Sequence, residues 1–422
     1  MEHLVINGGK PLCGKVSING AKNAALAVIP AALMATSTNV IENLPDIEDI
    51  KNLVDIIKKL GATCEFDNKH TLRIDSTNIN KYHASYESAR KIRASYYLLG
   101  AMLGRFKKAE VALPGGCNFG NRPIDQHIKG FEAMGAKVCI EHGMIKLHAD
   151  RLIGTTIYLD VVSVGATVNI MLAATLAEGT TIIENAAKEP HVVDAANFLN
   201  MMGAKIKGAG TDVMRIVGVD ELHGGEYTII PDQIEAGTYM IGAAITGGDV
   251  TVQNIIPKHM DPLTAKLSEM KCKIEEGDDY IRVIGPDVLT STNVKTMAYP
   301  GFPTDLQPQM TALLSAASGT GFITENVWES RFQYVNELKR LGCNITVEGK
   351  IAITEGPSIL TGAEVNATDL RAGAALVVAA LAAKGSTTIG NARYISRGYE
   401  DIEGKLNALG ADVKRVVIEN SK

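Results

Sequence analysis

Arg371-Ala372-Gly373-Ala374-Ala375-Leu376-Val377-Val378-Ala379-Ala380-Leu381-Ala382-Ala383 carries no polar side chain after its first residue. A helix of this composition has no face to turn to water, so the stretch predicts a helix buried all round. Five others read the same way: Ala24 to Ala35, Ala94 to Leu103, Thr167 to Ala177, Ile234 to Ile245 and Met310 to Ala317. Outward from each, a short β-branched strand follows, then a connector, an amphipathic second helix and a closing strand introduced by a Leu-Gly-Ala-like triplet. The triplets start at Leu60, Met134, Met202, Met270, Leu341 and Leu409, a period of roughly 70 residues. In the second copy the amphipathic stripe is predicted as Ile124, Ile128, Phe131 and Met134, with Asp125, Lys129 and Glu132 facing away.

Units this long and mixed argue against an open solenoid, whose repeats usually run about 20 to 45 residues. Buried helices with amphipathic helices and sheets outside them invert the usual α/β order. Six copies predict two domains, each of three βαβαββ-like repeats around buried helices. The seam falls near Ile230-Pro231-Asp232. The first domain is 22–230, and the second is 231–422 plus residues 1–21, read as a strand donated to it.

The composition sets bounds on function. A formal net charge of −5 argues against a nucleic-acid partner, because neutralising phosphates needs a basic surface. The opening Met1-Glu2-His3-Leu4 has no signal-peptide pattern, and the apolar run from Ala24 to Ala35 is short and broken by Pro30. A cytoplasmic protein with no membrane partner is expected. The six cysteines show no Cys-x-x-Cys and no His at zinc spacing, so no metal site is expected. Cys64, Cys139, Cys272 and Cys343 follow the triplets and are expected to be buried core residues.

One copy breaks the pattern. The first strand ends in Asn at Asn43, Asn185, Asn254, Asn326 and Asn391, but the second copy has Pro114 there. The chain then runs Gly115-Gly116-Cys117-Asn118-Phe119-Gly120-Asn121-Arg122-Pro123. The glycines let a ligand approach the main chain. Asn121 and Pro123 are suited to start a helix, whose N-terminal N–H groups face the loop and favour an anion. Arg122 adds a bidentate fork, and such surroundings favour the Cys117 thiolate. The bland alternative is a surface loop with an incidental cysteine.

The segment Pro114-Gly-Gly-Cys117-x-x-Gly120-x-Arg122-Pro123-x-Asp125-x-His127, preceded by Gly20-Ala21-Lys22-Asn23-Ala24-Ala25, resembles the UDP-N-acetylglucosamine 1-carboxyvinyltransferase family of enolpyruvyl transferases. Further matches are Lys91-Ile92-Arg93-Ala94-Ser95, Ser163-Val164-Gly165-Ala166-Thr167, Gly301-Phe302-Pro303-Thr304-Asp305, Asp369-Leu370-Arg371-Ala372 and Arg397-Gly398-Tyr399-Glu400. The resemblance covers essentially the whole chain. It implies an inside-out α/β barrel fold in two domains, with the active site in the cleft between them. It also implies transfer of the enolpyruvyl group of phosphoenolpyruvate to the 3′-hydroxyl of UDP-N-acetylglucosamine, with release of phosphate and no cofactor. This is the first committed step of peptidoglycan synthesis.

The same resemblance assigns roles. Cys117 is the proton donor to the phosphoenolpyruvate methylene and can form a covalent adduct, and Asp305 is the base for the sugar hydroxyl. Lys22, Arg122 and Arg397 hold the phosphate and carboxylate of phosphoenolpyruvate. Asn23, Arg93, Arg122, Pro123, Ile124, Asp125, Gln126, Ser163, Val164 and Gly165 match the nucleotide-sugar site. Val327 packs near the sugar or uracil, and Asp369 and Arg371 stand on the phosphate side. From the residues alone, Asp305 reads equally as a turn-capping Asp, and His127 as a helix-surface His. Val161 and Gln233 depart from a frequent basic residue, which removes positive charge near a nucleotide. An enolpyruvyl transferase of the EPSP synthase type and a non-catalytic nucleotide-sugar-binding paralogue are the rival readings.

Overall fold

The computed structural model describes residues 2–85, 87, 92–113 and 124–417. Pro114, Cys117, Arg122 and Pro123 lie outside the described residues, as does the side chain of Arg93. The chain divides into two compact units: residues 20–113 with 124–230, and residues 2–19 with 231–417.

In the first unit the inner helices are Lys22–Ala32, Tyr97–Phe106 and Val164–Ala174. In Val164–Ala174 every residue after the first is buried, because no side chain up to Ala174 carries a charge that needs water. The second and third inner helices approach closely at Gly100, whose N–H donates to Asn169 Oδ1 at 2.8 Å. A Cβ on Gly100 would stand 2.3 Å from the Asn169 carbonyl oxygen, so only glycine fits.

Each inner helix is followed by a strand, a second helix and an antiparallel hairpin. In the first repeat these are Thr38–Glu42, Glu48–Leu60, Thr63–Asn68 and Thr71–Asp75. Each repeat then passes a short strand to the next sheet. His83–Ala84 runs parallel to Lys108–Ala112, Thr156–Tyr158 to Thr180–Glu184, and Glu226–Thr228 returns to Thr38–Glu42. Three four-stranded sheets are thereby linked in a cycle with the apolar helices inside, which is the inside-out order.

The second unit repeats the plan around Gln233–Ile245, Gln307–Ala316 and Leu370–Ala382. Its last repeat is completed by the N-terminal residues, which supply two strands where the sequence suggested one. Glu2–Asn7 lies antiparallel between Ser386–Gly390 and Asp412–Val417. Cys13–Ser17 then runs parallel to Asp249–Gln253 and returns the cycle to the fourth repeat.

The asparagines at the strand ends have a common task. Asn43, Asn185, Asn254 and Asn391 take left-handed backbone conformations, with φ of 60, 59, 55 and 57°, a region Asn tolerates better than most residues. Each side-chain amide donates to the carbonyl just past the short parallel strand: Ile229, Leu159, Ile18 and Ala367. Asn326 does not follow the rule. Its backbone stays outside the left-handed region, and the tie to the parallel strand is made by the buried Glu325, which accepts from Thr296 Oγ1 at 2.8 Å.

Two further expectations are corrected. In Asp125–Ala133 the buried side is Gln126, His127, Gly130 and Phe131, with Met134 following, while Ile124 and Ile128 are only half-buried. His127 and Gln126 turn inward because they find partners there, and a Cβ on Gly130 would meet Ile170 Cδ1 at 2.2 Å. Cys64, Cys272 and Cys343 are buried as expected, but Cys139 is exposed, on the outer side of Lys137–Glu141.

Two half-buried cations serve the C-terminal ends of the first unit's inner helices. Arg105 donates to the carbonyls of Leu33 and Ser76 at 2.6 and 2.9 Å, and Lys107 to those of Gly104 and Leu176 at 2.6 and 3.2 Å. Apart from Ser76, which follows the strand Thr71–Asp75, these carbonyls lie at or just past helix ends, which leave them without intrahelical partners and at the negative end of the dipole. Among the described residues no helix is long and apolar enough to cross a membrane.

Candidate active site

The sequence-predicted residues gather at one kind of place, the N-terminal ends of inner helices and the starts of second helices. In the first unit Lys22 opens Lys22–Ala32 and Asn23 follows it, half-buried. Lys22 is itself buried, and its Nζ lies 2.8 Å from Asp49 Oδ2 in the first turn of Glu48–Leu60. Asp49 was not read from the sequence. It supplies the counter-charge that a buried ammonium requires.

The third inner helix is capped by Ser163, whose hydroxyl accepts from Ala166 N at 3.3 Å. Val164 is half-buried and Gly165 buried. A Cβ on Gly165 would stand 2.7 Å from Tyr96 Oη and 2.8 Å from His127 Cε1, so the glycine admits both rings. His127 is buried rather than on the helix surface, with its Nδ1 3.2 Å from Asn169 Nδ2 and its ring edge-on to Tyr96. Gln126 also points inward: its Oε1 accepts from Asp160 N, and its Nε2 donates to Asp125 Oδ2 and Asp160 Oδ2. Its side chain is therefore committed to the protein. Val161 and Val162, just before Ser163, are exposed.

In the second unit Asp305 lies in the 3₁₀ turn Thr304–Leu306 that leads into Gln307–Ala316. Its two oxygens face two guanidiniums. Arg331 Nη2 donates to Oδ1 at 3.1 Å, and Arg371 Nη2 to Oδ2 at 3.0 Å. The side chains of Arg331 and Arg371 are 2% and 6% exposed, against 29% for Asp305. For Arg371 burial disfavours the charge, but the Asp305 carboxylate and the neighbouring Tyr399 and Asp232 outweigh it and hold the guanidinium firmly charged. Arg371 also stands 5.9 Å over the Tyr399 ring.

Around this pair the acids are occupied. Asp369 caps Leu370–Ala382 through bonds from Arg371 N and Ala372 N, and Asp232 caps Gln233–Ile245 through Ile234 N and Glu235 N. Glu325 accepts from Thr296 Oγ1, Thr304 Oγ1, Val327 N and Trp328 N, tying the segment that carries Val327 to the turn that carries Asp305. Val327 is 42% exposed. Arg397 ends the 3₁₀ turn Ala392–Arg397, half-buried, and Gln233 is half-buried after its cap. The structure thus brings Asp305, Arg371, Asp369 and Val327 into one network, to which it adds Arg331 and Glu325.

Comparison with known proteins agrees along the whole chain. Residues 6–406 match the family model described as EPSP synthase (3-phosphoshikimate 1-carboxyvinyltransferase). A protein of Caldanaerobacter subterraneus subsp. tengcongensis named UDP-N-acetylglucosamine 1-carboxyvinyltransferase 3 is 59% identical, over 99% of this chain and 100% of its own length. One of Clostridium acetobutylicum named UDP-N-acetylglucosamine 1-carboxyvinyltransferase 2 is 58% identical, over 98% and 99%. Among solved structures, the enolpyruvyl transferase NikO from Streptomyces tendae superposes with a TM-score of 0.90 at 28% identity, covering 99% of each chain.

Proposed function

The chain belongs to the EPSP synthase family of enolpyruvyl transferases, and we propose that it transfers the enolpyruvyl group of phosphoenolpyruvate to the 3′-hydroxyl of UDP-N-acetylglucosamine, releasing phosphate. The observation that carries this acceptor is the full-length identity to relatives that bear its name. The reaction is the first committed step of peptidoglycan synthesis, and its substrates place the enzyme in the cytoplasm.

The residues divide the work according to their chemistry. Asp305 takes the proton of the attacking hydroxyl while the sugar oxygen bonds to C2 of phosphoenolpyruvate. Cys117 gives a proton to the methylene carbon, a task suited to a thiol whose pKa lies near working pH. Loss of phosphate, with a proton of the new methyl group passing to the Cys117 thiolate, then restores the double bond. Lys22, Arg122 and Arg397 hold the anionic groups of phosphoenolpyruvate. Asn23, Arg93, Arg122, Pro123, Ile124, Asp125, Ser163, Val164 and Gly165 receive the nucleotide sugar, with Val327 against its ring. Gln126 contributes through its main chain, since its amide serves Asp160 and Asp125. Asp369 shapes the site by fixing the helix that carries Arg371.

Phosphate release from phosphoenolpyruvate, with UDP-N-acetylglucosamine and shikimate 3-phosphate as parallel acceptors, tests the assignment. Release dependent on UDP-N-acetylglucosamine is expected. Release dependent on shikimate 3-phosphate, or on neither acceptor, would overturn it.

A further inference from the structure

A sugar nucleotide carries two negative charges on its diphosphate, whereas a helix N-terminus offers the equivalent of about half a positive charge. The third inner helix begins at Val164 behind its Ser163 cap, and the connector before it presents exposed Val161 and Val162, which add no charge. The Gln126 amide ties this connector to the start of Asp125–Ala133. It accepts from Asp160 N at 2.9 Å and donates to Asp160 Oδ2 at 3.1 Å and to Asp125 Oδ2 at 2.9 Å. Two carboxylates at the junction therefore oppose an arriving anion. Lys129 lies four positions after Asp125 (129 − 125), on the same exposed side of the helix. Its Nζ donates to Asp160 Oδ1 at 2.8 Å and stands 6.0 Å from the centroid of the Tyr158 ring. The pair is open to water, with side chains 42% and 59% exposed. Exposed pairs of this kind contribute about 0.2–1 kcal/mol, so the ammonium changes partner at little cost.

We infer that Lys129 is a diphosphate-binding residue, which leaves Asp160 for the phosphates of the sugar nucleotide when that substrate arrives. The inference rests on the proposed use of UDP-N-acetylglucosamine, and it names the residue that supplies the cation Val161 does not. In the free protein Asp160 neutralises Lys129 and keeps it beside the connector. The exchange is a rotation about the side-chain bonds of one exposed lysine and needs no shift of the helix. A compact ammonium with three donors on a flexible stem suits it better than a guanidinium would. Asp160 is not left bare by the departure, because Gln126 Nε2 still donates to its other oxygen. Gln126, whose amide serves the protein rather than a ligand, thereby acquires a purpose: it fixes Asp160 at the helix start and so fixes where Lys129 waits.

The test measures Kd for UDP-N-acetylglucosamine by titration calorimetry on the full-length chain, and KM for both substrates by phosphate release. Lys129→Met keeps the stem and removes the charge. Its Kd and KM for UDP-N-acetylglucosamine are expected to rise about tenfold, the lower end for a charge-assisted bond, with KM for phosphoenolpyruvate little moved at saturating acceptor. The loss should shrink at high salt. Asp160→Asn keeps an oxygen for Gln126 but frees the ammonium, so it should act in the opposite direction and tighten binding by about two- to threefold. Adding Val161→Lys to Lys129→Met returns a cation to the connector and should recover most of the loss. A pair that only ties the helix to the connector predicts otherwise: Lys129→Met and Asp160→Asn would weaken binding together, and Val161→Lys would rescue nothing. That pattern, or an unchanged Kd in Lys129→Met, would overturn the inference and leave the enzymatic assignment standing. Phosphate release by the parent that depends on shikimate 3-phosphate, or on neither acceptor, would overturn both.

Discussion

Asp49 offers the sharpest test of how the first unit holds its charge. Lys22 Nζ and Asp49 Oδ2 are 2.8 Å apart, with side chains 10% and 4% exposed. At that distance and an effective dielectric of about 20, the attraction is about 6 kcal/mol before the cost of desolvating both groups. Removing the carboxylate takes this counter-charge away from a buried ammonium, a loss of about 3–5 kcal/mol. Asp49→Asn preserves shape, so nearly all of its effect is electrostatic. For a unit of roughly 200 residues each kcal/mol moves the midpoint by about 2–4 °C, so a drop of about 6–20 °C is expected. Because Lys22 loses the carboxylate that it pairs with here, KM for phosphoenolpyruvate should rise by more than kcat falls. The double variant Lys22→Met with Asp49→Leu replaces the pair by apolar groups and should recover stability to within about 1 kcal/mol of the parent. It should nevertheless stay inactive, because the cation is gone. Differential scanning calorimetry and initial rates at varied phosphoenolpyruvate give both quantities. A melting point within 2 °C of the parent for Asp49→Asn, with an unaltered KM, would refute the reasoning.

Four other outcomes are expected. Arg105→Met deletes two charge-assisted bonds to main-chain carbonyls, one at the end of an inner helix and one just past a strand, and should lower stability by about 3 kcal/mol while KM and kcat hold, because the residue serves the scaffold; a loss of activity without a loss of melting temperature would contradict it. Burial lifts the Asp194 carboxyl to about 6, although Tyr227 and Ile230 N donate to it. A raised acid binds its proton more tightly in the folded chain, so its contribution is full below about pH 4 and is lost as pH rises through 6; melting curves of Asp194→Asn should fall less than the parent's over that interval. Alkylation at pH 8 followed by peptide mapping should leave Cys64, Cys272 and Cys343 unmodified, since burial lifts their thiols to about 12, 11 and 11, and should mark the exposed Cys13 and Cys139. Cys139 should be the slower of those two, because its bond to Glu141 raises its pKa. Val161→Lys places a cation on an exposed position beside Ser163 and should lower KM for UDP-N-acetylglucosamine by a few-fold, an effect that fades at high salt.

The fold was largely legible because its core helices are apolar on every side, and few architectures bury six such helices in one chain. The order of repeats, the second helices and the closing strands followed from the same period. What escaped was set by direction rather than composition. Cys139 sits where a core residue was expected, but a strand alternates its faces, and that position falls on the outer one. His127 could be read as a helix-surface residue, yet Asn169 draws it inward, and Gln126, matched to the nucleotide-sugar site, turns its side chain to Asp160. The ring closure needed two strands from residues 2–17, because the sixth repeat lacks the second strand of its own hairpin. Asp305 is turned to two arginines, a pairing that local sequence could not distinguish from capping its own turn.

Asp49 and Arg331 escaped for a related reason, yet the repeat contained the signal. Lys22 opens an inner helix and its partner Asp49 lies 27 positions on (49 − 22), at the start of the second helix of the same repeat. Asp305 precedes an inner helix, and Arg331 lies 26 positions on (331 − 305), just before Phe332–Tyr334. Arg371, in the first turn of an inner helix, is followed 26 positions on (397 − 371) by Arg397. One spacing therefore relates the start of a buried helix to the start of its amphipathic partner, and in two of the three cases it joins opposite charges. The asparagine rule adds the same lesson. Asn43, Asn185, Asn254 and Asn391 fix four strand ends by one device, and the fifth gives it up for Glu325, which binds the turn of Asp305. The sequence shows one break, at Pro114, but the structure has this second one, and it too lies beside a residue assigned to the chemistry. In a repeat protein the scaffold copies repeat their hydrogen bonds, and departures from them mark where evolution placed a task other than folding.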